Sequence, residues 1–385
     1  MSVTTSAIGK LFSKKQGKMD AIYLILILLL LTIGLVMLFS ASYVYAYYYE
    51  KGDSFYYIKR QLFFAILGVI AMLVVSRIDY HIFHYLALPI MGGAVVLLVV
   101  TVILRFTVYH GAITRWIRLG PIQFQPSEIA KFAVIVLFSQ MCCTYQKNIK
   151  TFRQGMVPFL AVLGLLAVLM MLEPHVSGTI LIASIGACIM IIGGCNIRFF
   201  LLFGGIGAVG LFVVVMFFGG VEYARERLIY YIDPFQAPRA QGYQIIQSMY
   251  AIASGGLTGK GLGNSRQKFL YLPEPRNDFI FAIVCEELGA IGAIIIIVLF
   301  VFYVWRGFSI ALRAKDLFGT LIASGITVQF GLQAMLNMLV VTKALPNTGI
   351  SLPFFSYGGT ALLMLLGEMG IMLNISRSAA LEKAG

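Results

Sequence analysis

"AIYLILILLLLTIGLVMLFS", residues 21–40, carries no charge over twenty positions. At 1.5 Å per residue a helix of that length spans about 30 Å, the thickness of the hydrocarbon core of a bilayer. The run is too long for the roughly 7–15-residue apolar core of a cleaved signal peptide, so it reads as a retained first membrane helix. Working outward, similar runs recur, centred on about residues 30, 69, 95, 135, 163, 184, 208, 291, 328 and 364. The fifth and sixth are separated only by "EPHVSG", a tight hairpin broken by Pro174 and Gly178. Of the 385 residues, 60% are hydrophobic and 12% charged, against about a quarter charged in soluble domains. The expected fold is an all-α polytopic membrane protein of about ten transmembrane helices, without a clear internal repeat.

Charge orients it. Lys10, Lys14, Lys15 and Lys18 place the tail 1–20 in the cytoplasm by the positive-inside rule. Ten spans across 21–375 return the tail 376–385, with Arg377 and Lys383, to the same side. External stretches are then 43–57, 105–125, a large loop 219–277 between helices 7 and 8, and 342–353. They are rich in cations: Arg115, Arg118, Arg225, Arg227, Arg239, Lys260, Arg266, Lys268, Arg276 and Lys343. Long loops escape the topology rule, so this excess has a bland reading. The other is a basic external surface that meets a lipid phosphate or pyrophosphate. The net charge of +13 fits either. Cys142, Cys143, Cys188, Cys195 and Cys285 show no CxxC spacing and read as small apolar fillers rather than a metal site or disulfide framework.

Three clusters carry chemistry. In "YLPEPRNDFIFAIVCEELG", residues 271–289, Asp278 stands where a helix begins, a place where a capping carboxylate is ordinary. Glu286 lies about 12 Å deeper and about 80° around the axis. A charge within a bilayer costs at least about 2.5–3.5 kcal/mol, so Glu286 and Glu287 are expected in a protected polar interior, as an ion pair or hydrogen-bond network. In "GAITRWIRLGPIQFQPSEIAKF", Pro126 reads as the first helical residue, and Glu128 and Lys131 are i,i+3 neighbours able to pair. Trp116 there has the ordinary reading of a membrane anchor. In "NMLVVTKALPNTGISLPFFSYGGTALL", three breaker-rich turns, the last including Ser356, lie beside apolar helices. Such backbone survives at membrane depth only where protein or a cavity covers it, so this stretch is expected to re-enter and line a cavity. The glycine-rich "SGGLTGKGLG" is no nucleotide-binding P-loop: Ser254 holds the first glycine position and Gly261 follows Lys260. "IIQSMYAIAS" suits a short interfacial helix.

Together these motifs resemble the SEDS family of shape, elongation, division and sporulation proteins, which includes FtsW, RodA and SpoVE. The likeness covers essentially all ten spans and leans toward the FtsW/SpoVE branch through "DFIFAIVCEELG" and "MLNISR". It implies a peptidoglycan glycosyltransferase that polymerises lipid II at the outer face of the bacterial cytoplasmic membrane. It maps the essential carboxylate onto Asp278, the external Trp onto Trp116, and the Lys–Glu pairing onto Lys131 and Glu128. Trp116, Arg118, Lys260, Lys268 and Ser356 become candidates for substrate binding. The implied partners are lipid II, a class B penicillin-binding protein and other divisome or elongasome membrane proteins; no nucleic acid is expected. Two departures stand out. Arg276-Asn277 replaces the family's usual His-Thr before the Asp, and Glu173-Pro174-His175 replaces Glu-Pro-Asp.

A sugar hydroxyl is a poor nucleophile that one carboxylate can activate as general base. The leaving pyrophosphate needs positive charge, from Arg and Lys or from a divalent cation such as Mg or Mn; no protein metal site and no nucleotide are expected. The rival class is a lipid II flippase, since buried carboxylates and broken helices also suit transport. A scaffold for other division proteins would leave Asp278 without a role.

Overall fold

The computed structural model describes residues 17–108, 110, 115–119, 122–199, 205, 231–236 and 242–382. Its long helices are α1 (Ala21–Tyr49), α2 (Tyr56–Val75), α3 (Ile82–Thr107), α4 (Pro126–Thr144), α5 (Val157–Leu172), α6 (Val176–Ile192), α7 (Tyr243–Gly255), α8 (Ile280–Ala311), α9 (Leu317–Val341) and α10 (Gly359–Glu382). Seven of these are long and apolar enough to span a membrane, and α5 and α6 are shorter apolar helices. These nine match nine of the expected spans. The remaining one, centred on residue 208, lies outside the described residues, as do Lys10, Lys14, Lys15, Arg225, Arg227, Arg239 and Lys383. The short helix expected in the large loop is α7.

Burial separates the centre of the bundle from its lipid face. On α4 every residue from Ala130 to Ser139 is buried, so it is enclosed on all sides rather than along one stripe. It packs against α3, α6 and α9. On α2, Phe63, Ile66, Ile70 and Val74 are exposed, and their helical spacing makes an apolar stripe suited to lipid. The opposite side of α2 packs along α10.

The helix ends sort into two groups, as alternating spans require. At one end Arg306 pairs with Asp20 at 2.6 Å, the Tyr80 amide donates to Asn374 at 3.0 Å and His81 meets Asp316 at 3.0 Å. Lys18, Arg313 and Arg377 belong to this end, the cytoplasmic one by the charge rule. At the outer end, Ser248 donates to the Val341 carbonyl at 2.8 Å and Arg115 to the Pro174 carbonyl at 2.6 Å. An antiparallel hairpin of β1 (Ile117–Leu119) and β2 (Ile122–Phe124) also lies there. It is a small β element that the all-α expectation did not include.

Helix α8 is broken at Gly289, where φ is 67°. The groups freed by the break are taken up by the external loop. Lys260 and Gly261 donate their amides to the Glu286 and Glu287 carbonyls, both at 3.0 Å, while Ala290 and Ile291 donate to Gly256 and Leu257 at 2.9 and 3.1 Å. A Cβ on Gly259 would strike the Glu287 carbonyl, and one on Gly289 would strike the loop backbone. Only glycine permits this approach and this dihedral.

Both glutamates are fully buried, in the protected interior expected of them. Glu286 accepts from Lys260 at 2.6 Å, Ser265 Oγ at 2.5 Å and the amides of Arg266 and Gln267. Glu287 accepts from Lys268 at 2.7 Å and from Ser40 of α1 at 2.7 Å. Lys268 also donates to the Gly263 carbonyl at 2.6 Å and is itself fully buried. Lys260 and Lys268, expected at the substrate, are thus engaged in clasping the loop to α8. Charge pairing inside the bundle outweighs the solvation of Lys268, while Lys260 keeps part of its side chain exposed.

Removing one partner of a buried ion pair leaves the other uncompensated, at about 3–5 kcal/mol. Lys268→Met should therefore lower thermal stability in detergent sharply, and adding Glu287→Gln should recover part of the loss. Strictly additive losses in melting experiments would show that the clasp does not couple the two.

Candidate active site

Three consecutive carbonyls position Asp278. The Tyr357 amide donates to Arg276 O at 2.9 Å. Ser356 Oγ donates to Asn277 O at 2.7 Å while accepting from the Leu352 amide. Asn337 Nδ2, from α9, donates to Asp278 O at 2.8 Å and to Ile350 O at 2.7 Å. The stretch 342–358 does re-enter the bundle: Ile350, Leu352, Phe354 and Phe355 are buried, and its polar groups hold the segment before α8. Ser356, expected at the substrate, has both its donor and its acceptor engaged in holding that backbone.

Arg276 adds a second clamp. Its guanidinium lies 3.8 Å from the Tyr45 ring centre and 4.3 Å from that of Tyr57 and meets Glu274 at 3.3 Å. Cation–π contacts of this kind are worth about 0.5–2 kcal/mol each. They tie the segment to the ends of α1 and α2, a task that a His at this position would perform differently.

Asp278 is half-buried and lines a cavity of about 630 Å³. The N-cap of α8 is Phe279, which makes no side-chain cap bond, so Asp278 stands one residue before the cap. Gly349 lies so close that a Cβ there would come within 3.3 Å of Asp278 Oδ2. Trp116 and Arg118 from the hairpin, Glu128, and Ser356 line the same cavity, as do Arg60 and Arg115. Lys131 sits just beneath, 2.7 Å from Glu128 and 3.0 Å from Gln333 Oε1, which is the expected pairing. The site thus unites Asp278, Trp116, Arg118, Glu128, Lys131 and Ser356. Lys260, Lys268, Glu286 and Glu287 form the separate clasp. Among the described residues no group of three or more His, Cys, Asp and Glu is placed to hold a metal ion.

Sequence reasoning missed four contributors. Gln329, Gln333 and Asn337 recur every fourth residue along α9, one polar stripe on an otherwise apolar helix. That spacing was a usable signal. Glu368, alone in the apolar run of α10, was another; it accepts from Gln329 at 2.8 Å.

A family model described as "Cell cycle protein", covering FtsW, RodA and SpoVE, matches residues 20–381. The chain belongs to this family. It is 43% identical to stage V sporulation protein E of Bacillus subtilis, over 94% of this chain and 98% of that protein. It is 38% identical to the "Probable peptidoglycan glycosyltransferase FtsW" of Geobacter metallireducens, over 95% and 97%. Among solved structures, one from work on structural coordination of polymerization and crosslinking by a peptidoglycan synthase complex superposes with a TM-score of 0.76. Its identity is 24%, over 94% of this chain and 98% of that one. RodA of Thermus thermophilus superposes at 0.67 and 22%, over 93% and 97%. The FtsW/RodA/SpoVE fold therefore extends over nearly the whole chain, and this is a multi-pass membrane protein.

The turn between α5 and α6, Glu173-Pro174-His175, adds a buried carboxyl to the site. Glu173 is 1% exposed. Burial pushes its carboxyl up to about 8, opposed by the positive charges of Arg115 and Arg105. A carboxyl with a native pKa above its unfolded value favours the native state most at low pH, and that contribution fades as pH rises through about 8. Each unit of difference corresponds to about 1.4 kcal/mol. Thermal stability in detergent should fall as pH rises from about 4.5 to about 8, and Glu173→Gln should flatten that fall. An unchanged pH profile in the variant would mean that Glu173 is ionised throughout.

Proposed function

We propose that this chain polymerises lipid II into glycan strands at the outer face of the bacterial cytoplasmic membrane, with Asp278 as general base. The observation that carries the reading is the triple backbone lock, which fixes a half-buried carboxylate at the wall of a cavity large enough for a sugar. A precisely held base lowers the barrier because no ordering is needed at the moment of reaction. Asp278 takes the proton from the 4-hydroxyl of one saccharide as that oxygen attacks the anomeric carbon of another. The carbon–oxygen bond to undecaprenyl pyrophosphate breaks on the opposite side, so the anomeric centre inverts. Arg60, Arg115 and Arg118 offer the leaving diphosphate positive charge. A Mg or Mn ion brought in with the diphosphate would supply the same charge neutralisation, since the described residues offer no cluster of their own to hold one. Trp116 offers an aromatic face at the cavity wall.

Family membership supports this reading, as does the name of the FtsW relative. The likeness to a peptidoglycan synthase complex that couples polymerization to crosslinking supports a class B penicillin-binding protein as partner. The rival reading, translocation of lipid II, draws on Glu368 and Gln329, which carry the cavity's polarity deeper into the bundle. Reconstitution with lipid II separates the two, because polymer and translocated lipid are scored independently.

The decisive variant is Asp278→Asn. An amide cannot take up the proton at neutral pH, yet it keeps the shape and polarity of the side chain. The variant should fold, insert and bind lipid II, while losing at least about 10²–10⁴-fold in polymerisation rate. Near-normal polymerisation by purified Asp278→Asn, free of other transferases, would remove Asp278 from the chemistry.

A further inference from the structure

The deep end of the cavity holds an acidic side chain, Glu368, with few protein partners. Asn337, Gln333 and Gln329 descend α9 in steps of four residues, about 6 Å each. Asn337 touches the backbone of Asp278, Gln333 meets Lys131, and Gln329 meets Glu368. Glu368 therefore lies on the order of 12 Å below the Asp278 backbone, on the wall of the same cavity. Two carboxylates, Glu128 and Glu368, share this depth with a single ammonium, Lys131, which closes on Glu128 at 2.7 Å. Glu368 is 3% exposed and Gln329 is 2% exposed.

The hydrogen-bond inventory sharpens the imbalance. Among the described residues Glu368 accepts a single hydrogen bond, from Gln329 Nε2 to Oε2, although a carboxylate offers about four lone-pair sites. Gln329 Oε1 is buried with no donor at all. A carboxylate oxygen and an orphaned amide oxygen on one cavity wall are both acceptors, so the missing group is a donor or a cation. Leaving a buried acceptor unsatisfied costs about 1–3 kcal/mol, and a charged one more. Hard cations take oxygen ligands of this kind. An ionised Glu368 at this depth would be balanced by a single positive charge.

We propose that Glu368 and Gln329 form a binding site for a compact monovalent cation, either an alkali ion or a primary ammonium group. The site is distinct from the Asp278 end of the cavity and independent of the transfer reaction proposed above. Its test reads binding rather than turnover, so failure of one reading leaves the other standing.

The test uses the purified full-length protein in detergent at constant ionic strength, with choline chloride as a cation too large for the site. Melting temperature is followed against NaCl, KCl and methylammonium chloride. At least one should produce a saturable rise of about 2 °C or more over choline. Glu368→Gln should abolish the rise, and Gln329→Ala should shift its midpoint to at least about tenfold higher concentration. A response to Na⁺ or K⁺ marks a free ion as occupant, whereas a response to methylammonium alone marks an amino group. If Glu368→Gln does not fold, the Gln329→Ala midpoint carries the test. Identical melting in all four salts would overturn the proposal, as would a rise that persists unchanged in both variants. An infrared band of a protonated carboxyl at neutral pH, lost in Glu368→Gln, would also overturn it, because a proton would then neutralise the site.

Discussion

A backbone amide or carbonyl inside a bilayer has no water to fall back on, and the arrangement around Asp278 follows from that constraint. Among the described residues the chain breaks regular helix at Gly289 and along 342–358. Each break exposes polar backbone, and each is answered by another broken segment. Loop residues 256–261 pair with the groups flanking Gly289. Tyr357, Ser356 and Asn337 pair with carbonyls 276–278. The irregularities satisfy one another, and the residue left between them is Asp278.

The charges follow a related logic. A lone ion in the bundle is expensive, so the glutamates of α8 draw lysines inward from a loop that would otherwise stay hydrated. The same economy acts on Glu128 and Lys131. Arg276 is held by aromatic faces and Glu274, which keeps a guanidinium against the segment that carries Asp278, at the cavity wall.

Much of this was legible from residue order. Apolar runs of about bilayer length read directly as spans, because in lipid a helix is the only local solution for the backbone. Pro126 as the first residue of α4, the Glu128–Lys131 pair and the buried state of Glu286 and Glu287 also followed from local rules. The partners of Lys260 and Lys268 did not. An external lysine and a buried one look alike until the loop is seen folding back onto α8, a contact set by Gly259 and Gly289 together. Ser356 was assigned to the cavity, which it lines; its bond to the Asn277 carbonyl was not legible, because it depends on how 342–358 folds back. The hairpin at Ile117–Phe124 was invisible because six residues around a turn give too short a period to read. The stripe of amides on α9 was visible in its spacing and passed over, since a few polar residues in a long apolar helix do not disturb its average.

The Lys268–Glu287 contact has a geometric corollary. Lys268 precedes Asp278 by ten residues and Glu287 follows it by nine, so the ion pair closes a ring with Asp278 near its midpoint. A ring of fixed circumference tolerates little change in length. One residue inserted between 269 and 277 would either open the ring or displace the carboxylate, however benign the residue itself. The external loop is therefore no appendage that can be lengthened, shortened or exchanged like an ordinary surface loop. Its length acts as a gauge for where the Asp278 carboxylate stands, and in this region a change of spacing is expected to be harsher than a change of side chain.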